Sequence, residues 1–296
     1  MSRADADLQA ATRALLAVAA RVDWGTTRRE NDPVIEAAIA ALRAVVAEDA
    51  EDTHHLEQLA MLEHNVGRLN AARALYARVN ELDPPRFPTD PEREAVERFC
   101  PVTLTTRAEC FELRDCAAVH HPADPIIGYH LFWEDDWDYP DDDEPSDHEI
   151  VWVRYRPSDL VLVEVATYFH GRVLTGGPGA AGARPTVLVQ WGKHGSLPEG
   201  WEHLAGIAPI LRKDFEASRR GGRVPDHPRK RRWPSQFSGE WPDYVRFERA
   251  VDPLPLLRAR TWYAVGRWAN AILHDDFVPY NFHAKREWPH DDLINL

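Results

Sequence analysis

No apolar run in the chain approaches the roughly 20 residues needed to cross a bilayer, so a transmembrane segment is not expected. The opening residues, MSRADADLQAATRALL, place acids where a secretory leader carries its basic head, and a cytoplasmic protein is the expectation. Cysteine is scarce. Cys100, Cys110 and Cys116 are odd in number and lack C-x-x-C spacing, which excludes a zinc knuckle or a thioredoxin-like pair and leaves reduced, structural thiols. Positive charge is also short: 35 Lys and Arg face 48 Asp and Glu, for a formal net charge of -13. Nucleic acid is therefore not an expected partner, because duplex binding draws most of its affinity from Lys and Arg on phosphates. The one basic stretch, Arg229 to Arg232 in PRKRRWP, reads as a solvated loop. What is present is a globular balance of 44% hydrophobic and 28% charged residues over 296 positions, enough for one large domain or two ordinary ones.

Residues 5 to 83 are rich in Ala and Leu and nearly free of strand signals. Their periodicity predicts about four helices, with Asp32-Pro33 as a helix start. PPRFPTDP is a turn-rich linker, and short β-rich runs separated by Gly, Pro and Asp follow it. The predicted division is a helical domain over 1–90 and a β-rich domain over 91–296. The clearest strands are Ile126 to Trp133, Ile150 to Tyr155, Leu160 to Phe169 and Thr186 to Trp191. So little chain separates them that crossover helices do not fit, and a largely antiparallel sheet or two packed sheets is expected, giving α+β. LPLLRARTWYAVGRWANAIL reads as a helix by length and periodicity.

Histidines and carboxylates gather between Asp124 and Pro198, at strand ends. GYHLFWEDDWDYPDDDEPSDHEIVWV carries His130, Asp135, Asp136, Asp147, His148 and Glu149; TYFHG carries His170; QWGKHGSLP carries His194. In the last two a strand delivers a His into a glycine-containing turn, a rigid mount beside an open mouth. Imidazole and carboxylate converging from several strands can hold Zn, Mn, Fe, Ni or Cu. Strand alternation predicts that Asp147 and Glu149 share one face and His148 takes the other. The acid run Asp141-Asp142-Asp143-Glu144 is expected as a loop over the mouth. Gly176-Gly177-Pro178-Gly179 lacks the Lys-Ser/Thr pair of a phosphate loop, and Ser196 lacks a nucleophile elbow, so neither nucleotide binding nor serine acyl transfer is expected.

Two resemblances follow from these motifs. LEQLAMLEHNVGRLNAARALYARVNELDPP resembles one tetratricopeptide repeat in its small contact residues, Gly67, Tyr76 and the closing Leu82-Asp83-Pro84. Ser146-Asp147-His148-Glu149, Tyr168-Phe169-His170-Gly171 and Gly192-Lys193-His194-Gly195 resemble the necrosis-inducing (Nep-like) family and its vacuolar protein sorting sixty-two relatives. That resemblance spans residues 120 to 200. It implies a β-sandwich and a divalent-metal cleft lined by Asp136, Asp147, Glu149, His170 and His194. The family's His before Asp-x-Glu is missing, and its Trp between the acids is His148 here. The added imidazole of His130 or His148 favours a transition metal over Ca or Mg.

The expected function is a metal-dependent enzyme acting on a small or medium-sized substrate, hydrolytic, lyase-like or oxidative. Glu149 or Asp147 serves as base where it is not a ligand. The competing expectation is a non-catalytic module whose metal holds a glycan or a lipid headgroup while the helical front recruits a protein partner. If these groups only pair among themselves, the site is structural.

Overall fold

The computed structural model describes residues 33–137, 147–177, 184–221, 233–260, 262–277 and 284–290, with part of 3–14. The chain is α+β, with helices and two mixed sheets. Described residues 6–11 and 13–14 are helical, and the helices that follow are α1 (Pro33–Glu48), α2 (Thr53–Asn65) and α3 (Leu69–Leu82). Asp52 caps α2, its side chain accepting the N–H groups of His54 and His55. Gly67 turns the chain into α3 at φ 80°, a left-handed conformation that glycine adopts without steric cost. Ile35, Ile39 and Leu42 of α1 pack on Leu59 and Leu62 of α2. The opposite side of α2 places Leu56 and Ala60 against Tyr76 and Val79 of α3 and against Trp268 and Ala271 near the C-terminus.

Past the linker the structure places a further helix, α4 (Asp90–Phe99), before any strand. Thr89 and Glu92 form its capping box, and Ala95, Val96 and Phe99 are its buried stripe. The larger sheet has the order β10-β2-β3-β4-β5-β6. Its strands are β2 (Leu113–His120), β3 (Ile126–Trp133), β4 (Asp147–Arg156), β5 (Val161–Phe169), β6 (Arg172–Gly176) and β10 (Tyr263–Val265). The smaller sheet has the order β8-β7-β1-β9, from β1 (Val102–Thr105), β7 (Thr186–Val189), β8 (Ser196–Pro198) and β9 (Arg249–Val251). The four strands read from sequence are β3, β4, β5 and β7. Their consecutive members β3, β4 and β5 pair antiparallel.

Two pairings depart from the antiparallel expectation: β1 with β7, and β10 with β2, are parallel. Both join segments far apart in sequence. Short connections rule out parallel neighbours only where consecutive strands pair, and here the intervening chain carries its own structure. The helix expected from Leu254 onward is also corrected. It divides into α7 (Leu254–Arg260), strand β10 and α8 (Ala269–Phe277). Aromatic and β-branched residues in TWYAV suit an edge strand, and Tyr263, Ala264 and Val265 pair with Ala118, Val119 and His120. The described residues also form a short 3-10 turn (Trp201–His203), α5 (Ile207–Arg220) and the short α6 (Trp241–Tyr244).

The larger sheet is apolar on both faces. On one, Leu131, Trp133, Val151 and Val153 form a core with Phe99, Leu257, and Val187 and Val189 of the smaller sheet. On the other, Phe132, Ile150, Trp152 and Ala166 pack against Leu273, Phe277 and Trp288. Burying surface on both sides supplies the main hydrophobic stabilisation, on the order of 25 cal/mol per Å². Among the described residues no helix is long and apolar enough to cross a membrane.

A candidate acid and histidine site at the strand ends

β3 ends and β4 begins at one edge of the sheet, with Trp133 opposite Asp147, Phe132 opposite His148 and Leu131 opposite Glu149. The alternation expected from sequence is present. Asp147 and Glu149 share the face of Trp133, while His148 shares the opposite face with His130 and Phe132. β5 reaches the same edge and turns back through His170-Gly171, the two residues between the paired Phe169 and Arg172. Both have positive φ, 46° and 79°, as a tight two-residue hairpin of this twist demands. Histidine is among the few non-glycine residues that tolerate this conformation.

His194 arrives by another route. Residues 190–195 link β7 to β8, closed by backbone hydrogen bonds from Gln190 N–H to Gly195 O and from His194 N–H to Gln190 O, both 3.1 Å. Gly192 sits at φ 65° with Trp137 packed where a Cβ would stand, and His194 itself is at φ 53°. The imidazole lies flat on Trp133, ring centroids 4.5 Å apart and 2° from parallel. Its Nδ1 meets Asp147 Oδ2 at 2.9 Å, and its Nε2 faces Glu109 Oε1 at 3.6 Å, an ion-pair distance beyond hydrogen-bond reach. Glu109 is held as an anion by the backbone N–H groups of Cys110, Phe111 and Gly192 at 2.9, 3.0 and 2.9 Å. Burial opposes a charged imidazole, but Asp147 and Glu109 more than reverse that and push His194 up to about 10. Burial likewise works against the Glu109 anion, and the His194 cation with the backbone donors brings its pKa below the ordinary value.

Glu149 stands in the opposite condition. Burial pushes its pKa up to about 8; Lys285 lowers it and Asp147 raises it further. Its Oε1 lies 3.1 Å from Lys285 Nζ, while Oε2 is buried without a hydrogen-bond partner among the described residues. The Lys285 ammonium also donates to the His148 carbonyl and sits over the Tyr168 ring at 4.9 Å. Beside it, His170 Nε2 reaches Gln190 Oε1 at 2.7 Å and Asp214 Oδ2 at 3.3 Å. Asp214 also holds Lys193 Nζ at 3.2 Å. Burial opposes charge on His170, and Asp214 turns the balance so that its pKa rises. The same pairing, with Lys193, drives the Asp214 carboxyl far below its usual range against its own burial.

The structure thus brings together Asp147, Glu149, His170 and His194. It does not bring His130 and His148 to them. Those two stack 5.2 Å apart on the other face with Nδ1 to Nε2 at 3.0 Å. His130 is driven down to about 3, by burial first and the Lys285 charge second. Asp136 is half-buried on the turn after β3, its N–H bonded to Asp135; the next residue, Trp137, donates to Gly192 O in the His194 loop. His274 packs against His64 and Tyr76 at the helical front. The acid run 141–144, Ser146, His283 and the basic stretch 229–232 lie outside the described residues. Sequence reasoning missed Glu109, Asp214, Gln190 and Lys285. Gln190 and Lys193 stood inside QWGKHGSLP, a motif singled out only for its histidine.

Among the described residues no group of three or more His, Cys, Asp or Glu stands in a metal-ligating arrangement. The donor types suit a divalent ion, and buried Glu149 Oε2 and His194 Nε2 lack hydrogen-bond partners among the described residues. With the side chains as they stand, however, protein cations already occupy the acids: Lys285 lies on Glu149, His194 on Asp147 and Lys193 on Asp214. Comparison with protein families, curated proteins and solved structures finds no match.

Proposed function

We propose that this chain is an enzyme that moves a proton on a small or medium-sized polar substrate, in a hydrolysis or an elimination, with Glu149 as the group that gives and takes the proton. One observation carries the reading: a buried carboxyl at a strand end, one oxygen on a lysine and the other free of any partner among the described residues. A general acid or base works best with a pKa near the operating pH, and burial sets Glu149 at about 8. Asp147 cannot share that role while it is tied to His194. It holds the imidazolium and, as a neighbouring negative charge, helps keep the proton on Glu149. Lys285 stabilises the Glu149 anion once the proton has left. Approach is from the side of His170, Asp214 and Asp147, whose side chains retain 19%, 14% and 11% exposure, against 0% for His194.

A second reading keeps the divalent cation, favoured by the unpartnered Glu149 Oε2 and His194 Nε2. Asp147 and Glu149 with His170 or His194 would hold it. A transition metal such as Zn, Mn, Fe or Cu supplies Lewis-acid activation of water or of a substrate oxygen. Uptake then exchanges the metal for the His194 proton and the Lys285 contact, so binding weakens as pH falls. The Nep-like resemblance, with its β-sandwich frame, supports a site of some kind here, because its positions 147, 149, 170 and 194 fall at one edge. Glycan or lipid-headgroup binding, with the tetratricopeptide-like helices engaging a protein, is the non-catalytic form of the same proposal.

The test is a screen of chromogenic esters, phosphoesters and glycosides with the wild-type chain, Glu149→Gln, and chelator-treated protein. Turnover that falls by roughly 10²- to 10⁴-fold in Glu149→Gln is the expected result. Turnover unaffected by that change overturns the Glu149 role. Loss on chelation with recovery on adding Zn or Mn selects the metal-dependent form.

A further inference from the structure

We infer that Asn270, braced by Glu57 of the helical front, is a positioning residue that holds Lys285 against Glu149, so that the N-terminal helices form part of the site's support. The inference rests on the reading of Glu149 and Lys285 as the working pair. Lys285 lies in residues 284–290, in which the described backbone forms no helix or strand, and an ammonium on a four-carbon stem stays in one place only if its backbone is fixed. Asn270 fixes it. The side-chain Nδ2 donates to the Lys285 carbonyl at 2.8 Å, and Oδ1 accepts the Lys285 N–H at 3.3 Å. One amide thereby pairs with both backbone groups of Lys285, as a neighbouring strand would. The remaining Nδ2 hydrogen goes to Glu57 Oε1 on α2 at 3.1 Å, which uses both donors and sets which way the amide faces.

Asn270 is itself immobilised. It occupies the first turn of α8, and the Glu287 carboxylate caps that turn by accepting the N–H groups of Ala269 at 2.6 Å and Asn270 at 3.0 Å. The Glu287 carbonyl accepts Trp152 Nε1 at 2.9 Å, anchoring the tail to β4. Glu57, Asn270, Lys285 and Glu287 are all buried. A chain of direct contacts therefore runs from α2 through Asn270 and Lys285 to Glu149. Displacing Glu57 or Lys285 would strip a buried polar partner of a hydrogen bond or ion pair. Asparagine is required by this geometry, since aspartate offers no donor and alanine offers neither group.

The experiment measures the reductive methylation rate of the Lys285 ε-amine by mass spectrometry in the full chain. Asn270→Ala is compared with Asn80→Ala, which removes a different bond between the helical front and α8, the 2.9 Å contact from Asn80 Nδ2 to Ala271 O. Expected is about a tenfold faster labelling of Lys285 in Asn270→Ala, the scale that losing two ordinary hydrogen bonds allows, with little change in Asn80→Ala. Unchanged labelling in Asn270→Ala, or an equal rise in Asn80→Ala, overturns the inference. If Asn270→Ala does not fold, as judged by thermal unfolding, Glu57→Ala carries the test: a rise supports the link to the helical front and no rise overturns it. Labelling reports where Lys285 stands whatever reaction the site performs. Failure here therefore leaves the Glu149 proposal intact, and failure of the Glu149 screen leaves this result readable.

Discussion

His194→Ala is expected to lower stability by about 3–5 kcal/mol at neutral pH, the range for stripping one partner from a buried charge cluster. The ring is fully buried between Asp147 and Glu109, and both carboxylates remain after the change. Glu109 keeps three backbone donors, so it stays ionised while losing the His194 cation beside its carboxylate. The cost is therefore chiefly the loss of the cation from between two buried carboxylates and not the lost ring. Adding Glu109→Gln to His194→Ala should recover part of the loss, although Glu109→Gln alone is destabilising; urea unfolding of the four proteins reads this coupling. A single-variant cost below about 1 kcal/mol would mean that the buried trio carries little net charge. The pH dependence has a fixed sign. The His194 contribution is full below its ordinary 6.5 and is lost as pH rises through about 10. The Glu109 contribution is full above its ordinary 4.5 and is lost as pH falls through its lowered value.

Glu149→Gln is expected to do the opposite of a usual buried-charge deletion, by removing a pH-dependent penalty. With its pKa raised from 4.5 to about 8, Glu149 contributes stability that is full below pH 4.5 and lost as pH rises through about 8. Between those values the unfolded chain releases a proton that the folded chain retains, and folding becomes progressively less favourable. Glutamine mimics the protonated acid and carries no such term. Relative to wild type, the variant should gain on the order of 4 kcal/mol between pH 4.5 and pH 8, at about 1.4 kcal/mol per unit. Parallel stability profiles of the two proteins over that range would show that Glu149 titrates normally. Lys285 keeps an oxygen acceptor at 149 in the variant, together with the His148 carbonyl and the Tyr168 ring.

Sequence alone made the strand-end part of the site visible because its geometry is local. Alternation along β4 places Asp147 and Glu149 on one face, and a two-residue hairpin places His170 at its tip. His194 follows from a glycine-containing loop. The rest depends on distant chain. Glu109 lies in TTRAECFEL, where nothing marks a lone acid that three backbone N–H groups will receive. Asp214 reads as the polar side of an amphipathic helix, and only the packing of α5 against the His170 hairpin and the 190–195 loop gives it its partners, His170 and Lys193. Lys285 comes from the tail and is placed by Asn270. The same limit hid the parallel pairings and β10, whose partner β2 lies nearly half the chain away. Histidine type alone could not separate His148 from His194; the strand face did.

The most direct measurement is the protonation state of Glu149 itself, by isotope-edited infrared spectroscopy of the glutamate-labelled chain against Glu149→Gln. A protonated-carboxyl band at neutral pH that is absent from the variant and disappears near pH 8 is the predicted result. A Glu149 that is already ionised at pH 6 would contradict the account, because a carboxylate paired in the ordinary way with Lys285 has no proton to give.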